Sequence, residues 1–167
     1  MPGLNVFEAE EAFLPELERI ALKFPDLKIT MEHLTTAVAV YKIEELPDNV
    51  TGTITAHHLV LTIDDVVGAK ICPHHFCKPI AKFESDRQVL LQAAFSGNHK
   101  FRFGSDSAPH CQQFKECAAG AAGVYTAPII VPLVYQIFAD AGFTNLLEDF
   151  TVNFAQDWFG FPVEPKV

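Results

Sequence analysis

The stretch Lys100-Phe101-Arg102-Phe103-Gly104-Ser105-Asp106-Ser107-Ala108-Pro109-His110 is an apolar run that ends in an acid and a histidine. It predicts a strand over 100–104 followed by a polar turn, with Pro109 enforcing the bend and Asp106 or Ser107 available as a cap. Taken alone, that is a turn. In a barrel or an open α/β sheet, however, sites are built at the carboxyl ends of parallel strands, so a carboxylate held there is placed for metal binding or proton transfer.

Reading back from this strand, Ser85-Asp86-Arg87-Gln88 is a capping box opening a helix that carries Leu90, Leu91, Ala94 and Phe95 and stops at Gly97. Residues 50–61, rich in Thr, Ile and Val, are a second strand with His57 and His58 near its end. Residues 27–32 are a third, ending at His33. Between these two, Thr35 or Thr36 caps a helix through about Glu45, which makes a strand-loop-helix unit of the parallel type. At the front, residues 8–24 place Leu14, Leu17, Ile20, Ala21 and Phe24 on one helical stripe, with Pro15 implying a kink or a restart. Residues 64–82 are a long irregular stretch around Cys72-Pro73-His74-His75-Phe76-Cys77, and a loop of that length is usually functional or an insertion. Beyond the opening stretch, 117–123 is small and Gly/Ala-rich, suited to close backbone approach; 129–141, closed by Gly142, is another helix, and short helical pieces follow around Phe150 and Phe159.

The 167 residues, 49% hydrophobic and with 15 Phe, describe a compact, well-buried chain. A net charge of −9 without a basic stripe excludes a nucleic-acid backbone and an anionic membrane as expected partners. No apolar run of about twenty residues is present, and the start lacks the basic-then-apolar order of a leader, so the expectation is a cytoplasmic protein. There the four cysteines are expected as free thiols. Neither a Gly-x-Gly-x-x-Gly nor a phosphate loop nor a Gly-x-Ser-x-Gly elbow occurs.

His33 directly after a strand is by itself a turn residue. If its strand and that of Asp106 are parallel near-neighbours, both side chains converge on one end of one sheet, as in hydrolase metal sites. His57-His58 and His74-His75, read as adjacent pairs on extended chain, offer at most one side chain each to a given site. Cys72 and Cys77 suggest a small structural zinc module, which Cys111 and Cys117 could complete only if the loops meet.

Five ordered motifs go further: Met31-Glu32-His33-Leu34-Thr35-Thr36, Cys72 through Ile80, Gly104 through His110, Lys115-Glu116-Cys117 leading to Ala122-Gly123, and Tyr125-Thr126-Ala127-Pro128. In order and spacing the chain resembles the single-domain dihydroorotases of bacteria and fungi, from about residue 8 to 162. The resemblance implies an α/β fold: a partial TIM (β/α)8 barrel of the amidohydrolase type, its C-terminal portion, with about three parallel strands and flanking helices in one domain over 1–167. It implies the reversible cyclisation of N-carbamoyl-L-aspartate to dihydroorotate in de novo pyrimidine synthesis, at a site holding two Zn2+ ions. His33 and Asp106 are implied metal ligands, and Asp106 is also the implied catalytic proton shuttle. His110 is the implied substrate-carboxylate contact, with Lys78, Ala108 and Ala122 lining the substrate.

The family's pattern also requires a His-x-His on the first strand, a lysine on the fourth and a histidine after the fifth, none of which can be placed in this sequence. The expectation is therefore a zinc cyclic amidohydrolase that does not turn over as the isolated chain, with homo-oligomerisation or pairing with the missing barrel portion as expected associations. The alternatives are a non-catalytic remnant that binds a partner subunit through open strand edges, and the small zinc module at Cys72 and Cys77.

Overall fold

The computed structural model describes residues 3–162; Met1 and Pro2, which open the stretch read for a leader, lie outside them. Strands β1 (Ile29–Met31), β2 (Val50–Ile54) and β3 (Phe101–Phe103) form one parallel sheet in the order β1-β2-β3, with Thr30 opposite Thr51 and Thr53 opposite Arg102. Helix α1 (Ala9–Lys23) precedes β1, and α2 (Ala37–Glu45) crosses from β1 to β2. Helices α3 (Ala56–Val60), α4 (Ile63–Val67) and α5 (Glu84–Ala94) make the crossover from β2 to β3. After β3 come the single turn α6 (Gln112–Lys115), then α7 (Ile130–Ala141), a π turn over Asp149–Asn153 and α8 (Phe154–Phe159).

The local signals place most of these elements. Thr36 caps α2 by accepting from Ala39 N at 3.2 Å, and α7 ends at Gly142 with φ 80°, a left-handed stop that glycine meets without a Cβ clash. Other expectations shift. The second strand stops at Ile54, because the Thr55 hydroxyl accepts from His58 N at 3.2 Å and starts α3; a capping threonine outcompetes the β-branched run before it. The loop after residue 63 is also more ordered than read, holding α4 and a 3-10 turn over Pro73–His75. Helix α5 begins at Glu84, with the Asp86 carboxylate accepting from Phe83 N at 3.3 Å. Pro15 does not restart α1, which runs unbroken from Ala9 to Lys23 with the proline on its exposed side.

The sheet's two faces differ in chemistry. On the helix side, Val50, Ile54 and Phe101 are fully buried with Leu34, Ile43, Leu59 and Phe138. Gly52 is the tight point: a Cβ there would sit 2.5 Å from Leu34 Cδ1 and 2.9 Å from Ile43 Cδ1.

The other face is polar. Arg102 donates to the hydroxyls of Thr51 (2.5 Å) and Thr30 (2.6 Å), and its guanidinium lies 5.2 Å from both the Trp158 and Phe159 ring centroids. A barrel segment alone is expected to leave its inner face open. Here α8 folds across it, and Thr51, Thr53 and Arg102 are at most 4% exposed. The guanidinium stacks on the aromatic rings while its N–H groups bond the threonines, which is how a buried arginine is tolerated. Among the described residues, no helix is long and apolar enough to cross a membrane.

Candidate active site

Two backbone outliers mark the carboxyl end of the sheet. Among the described residues, His33 (φ 46°) and Asp106 (φ 37°) are the only non-glycine positions at positive φ. Such conformations are costly and cluster at functional sites. His33 follows β1 and Asp106 follows β3, and the two line one hollow of about 250 Å3 with Glu32, Thr53, Thr55 and Ser105. Their strands are near-neighbours with β2 between them.

The turn at His33 is held by β2. The Thr53 hydroxyl accepts from His33 N at 2.8 Å and donates to Glu32 Oε2 at 2.6 Å, while Thr53 O accepts from Leu34 N at 2.9 Å. The His33 Nδ1 atom is buried without a hydrogen-bond partner, an orphan that calls for a ligand.

Behind His33, the start of α2 rests on two carboxylates. Glu10, reaching over from α1, accepts from Thr35 N (3.0 Å), Thr36 N (2.9 Å) and both threonine hydroxyls; Asp86 accepts from Ala37 N at 2.9 Å. These are the amides a helix start leaves unbonded, and negative charge is favoured there. The buried Lys82 donates to Thr35 Oγ1 and Ile80 O, both at 2.9 Å; burial pushes its pKa down, with Glu10 opposing. His33 and Lys78 face one cleft of about 410 Å3 with Glu10, Phe13 and Lys82.

Past Asp106 the chain is clasped to residues 121–127. Ala108 N donates to Val124 O at 3.1 Å, and the Ser107 hydroxyl accepts from Thr126 N (3.1 Å) and Ala127 N (2.9 Å). His110 Nε2 donates to Ala122 O at 3.0 Å, which sets the ring's orientation and leaves Nδ1 as its free edge. Gly123 (φ 154°) is required at this clasp, because a Cβ would meet both Ala108 Cβ and Ala108 O at 2.7 Å. Gly123 N in turn donates to Phe76 O at 2.8 Å, bringing in the segment that carries Lys78.

The cysteine-histidine motif resolves differently from the Cys72-Cys77 zinc module held as an alternative. Among the described residues, the one group of three metal-type donors close enough for a single ion is His57, His58 and Cys77, within 4.8 Å of one another. Cys72 is not in it, and Cys111 and Cys117 are exposed free thiols. Because α3 is a helix, both histidines of the pair point inward, contrary to their expectation on extended chain. The His58 Nε2–H and the Cys77 S–H both bond Pro79 O, at 3.1 and 3.2 Å, and both must keep their protons to do so. Burial pushes the Cys77 thiol up to about 11 and the His58 imidazole down to about 3. His58 and Cys77 are thus a hydrogen-bonded core pair, and the thiol, held protonated by burial, would have to give up its proton before it could ligate a cation.

His57 sits beside this pair with neither ring nitrogen bonded, lowered to about 4 by burial, while Asp106 pulls the other way. It lines a cavity of about 400 Å3 with Ala108, His110 and Tyr125.

The structure therefore gathers all six sequence-predicted positions at one end of the sheet. His33 pairs with Asp106 in the first hollow and with Lys78 in the cleft, while Ala108, His110 and Ala122 are joined in the clasp. Sequence reading missed Glu10 and Lys82, which lie 25 and 47 residues from the threonines they hold, and met His57 and Lys115 in its motifs without assigning either a role. Thr55 before the histidine pair was the available signal for α3.

No protein-family model matches the chain. Its curated relatives include dihydroorotases of Teredinibacter turnerae (42% identity over 96% of this chain and 47% of the relative) and Coxiella burnetii (40%, over 96% and 47%). A probable dihydroorotase of Schizosaccharomyces pombe is 45% identical over 97% of this chain and 47% of the relative. The chain thus spans about half the length of the curated relatives it matches. Among solved structures, the Saccharomyces cerevisiae dihydroorotase in complex with 5-fluoroorotic acid superposes with a TM-score of 0.90 at 40% identity, over 95% of this chain and 45% of that one. The Campylobacter jejuni dihydroorotase gives 0.89 at 39% identity, over 98% and 47%. A dihydropyrimidinase from Brevibacillus agri, at 19% identity and a TM-score of 0.74, shares the fold alone. In sequence and in fold, the three parallel strands and their helices match a segment of the dihydroorotase barrel.

Proposed function

We propose that this chain, matched to dihydroorotases along nearly its whole length, forms one side of a dihydroorotase site for the reversible cyclisation of N-carbamoyl-L-aspartate to dihydroorotate in cytoplasmic pyrimidine synthesis. The observation that carries the reading is the pairing of His33 and Asp106, both at positive φ, in one hollow at the carboxyl end of a parallel sheet. The yeast relative's bound 5-fluoroorotic acid supports a cyclic ureide carboxylate as the ligand class.

His33, with its orphaned ring nitrogen, and Asp106 are the residues that would hold zinc. Bound there, zinc supplies a water acidified toward neutrality and a polarised amide carbonyl. In the hydrolytic direction, the Asp106 carboxylate takes a proton from the attacking water and returns it to the amide nitrogen as the ring C–N bond breaks; cyclisation runs the same transfers backward. The His110 ring, its Nε2–H engaged by Ala122 O, meets the substrate carboxylate as an imidazolium that donates Nδ1–H, and the main chain at Lys78 and Ala122, with the Ala108 methyl, borders the ring. These residues make one wall. Two protein ligands do not hold a pair of ions, so the remaining barrel strands, or another polypeptide carrying them, complete the site.

A partner-binding role without catalysis is the second reading. It is favoured by an apolar cleft of about 600 Å3 beside β3, lined by Phe103, Val134, Tyr135 and Leu147, with Val131 on its rim 77% exposed.

The test assays carbamoyl-aspartate cyclisation and zinc content for the chain alone and with a polypeptide supplying the absent strands. Turnover is expected only in the mixture, and Asp106→Ala abolishes it by a factor on the order of a thousand or more. Turnover by the chain alone overturns the shared-site reading, and binding without any turnover favours the second.

A further inference from the structure

Lys115, the last residue of α6, is 3% exposed and spends its whole ammonium on main chain. Its Nζ donates to Phe76 O at 3.0 Å, Ala121 O at 2.7 Å and Gly123 O at 2.8 Å, which accounts for all three N–H groups. Among the described residues, no carboxylate forms an ion pair with it. A buried cation compensated only by neutral carbonyls stabilises a fold poorly, and an apolar side chain of similar volume would serve packing as well.

What the ammonium does achieve is alignment of separate segments. Phe76 lies two residues before Lys78; Ala121 and Gly123 flank Ala122; Lys115 itself lies five residues after His110. Drawing the carbonyls of 121 and 123 to one point also fixes the residue between them. The amides of Ala121 and Gly123 are taken by Phe114 O and Phe76 O, both at 2.8 Å, so the Ala122 N–H is the donor left over, while Ala122 O orients the His110 ring.

We propose that Lys115 is a positioning residue that sets the main chain of 76–78 and 121–123 so that the Ala122 N–H and the His110 ring present themselves together to a carboxylate. The identity of that carboxylate rests on the dihydroorotase reading; the alignment does not.

Two measurements test it separately. In the chain alone, amide hydrogen exchange of Lys115→Met is expected to rise at least tenfold at Ala121, Gly123 and Ala108, with Gly52 and Gly104 in the sheet unchanged. Lys115→Gln, whose amide keeps two of the three bonds at most, falls between and stands in if the methionine variant does not fold. Unchanged protection at Gly123 and Ala108, or loss spread equally to the sheet, overturns the proposal. In the complemented protein, either variant raises KM for carbamoyl-aspartate about tenfold while kcat stays within threefold and zinc content holds; a fall in kcat at constant KM overturns it. If the unsubstituted mixture never turns over, the dihydroorotase reading falls and the exchange experiment still decides the role of Lys115.

Discussion

The helix-packed face of the sheet and its carboxyl-end mouth are built from the same three strands by opposite means. On the packed face, Val50, Gly52, Ile54 and Phe101 fit against Leu34, Ile43 and Phe138 with no room for a methyl group at Gly52. At the mouth, His33 and Asp106 sit in strained backbone, the His33 and His57 rings keep unbonded nitrogens, and carboxylates from α1 and α5 brace the turn. One region is optimised for close packing and the other carries conformational cost and unmet polar atoms. That is the expected signature of a site that gives up stability for a ligand.

The largest effect that could break this contrast lies on the packed face. Gly52→Val forces branched atoms into Leu34 and Ile43 and is expected to cost about 3 kcal/mol in urea unfolding. A cost under about 1 kcal/mol would mean the face is less tightly fitted than the distances indicate.

Next comes the histidine pair under the mouth. His57 and His58 are held neutral when folded, at about 4 and about 3, and take up protons near 6.5 when unfolded. The unfolded chain therefore binds more protons below pH 6.5, so stability is full above it and falls as pH drops toward 3. Urea midpoints at neutral and acidic pH are expected to differ by a stability on the order of 3 kcal/mol, and His57→Gln removes part of that slope. A flat profile would place those rings in contact with water.

The smallest effect sharpens the contrast most. Asp106→Gly relieves a positive φ in an exposed residue, so stability is expected to rise by about 0.5–1 kcal/mol in the same unfolding experiment. Turnover in the complemented protein is lost at the same time. A destabilised glycine variant would mean that Asp106 supports the fold.

Legibility in the sequence divides along the same line. The helix over Ile130–Ala141 and the cap at Thr36 were readable, because apolar periodicity and capping chemistry are local. The end of β2 was not read, since a β-branched run continues smoothly into Thr55 and only the hydroxyl's bond to His58 N turns it into a helix start. The candidate site was half legible. His33, Lys78, Asp106, Ala108, His110 and Ala122 stand in ordered motifs, whereas Glu10 and Lys82 act across 25 and 47 residues with no local pattern announcing them, and Lys115, though it opens a motif, shows its role only through a carbonyl 39 residues away.

By itself, the sequence determined a parallel α/β segment with an acid and a histidine at its strand ends, because strand, cap and turn preferences are properties of a few adjacent residues. Only the tertiary structure decided that His58 and Cys77 form a hydrogen-bonded core pair, that α8 covers the inner face through Trp158 and Arg102, and that one buried ammonium gathers three carbonyls behind the site. Those outcomes depend on which distant groups meet and whether water can reach them, and neither is written in any local stretch of chain.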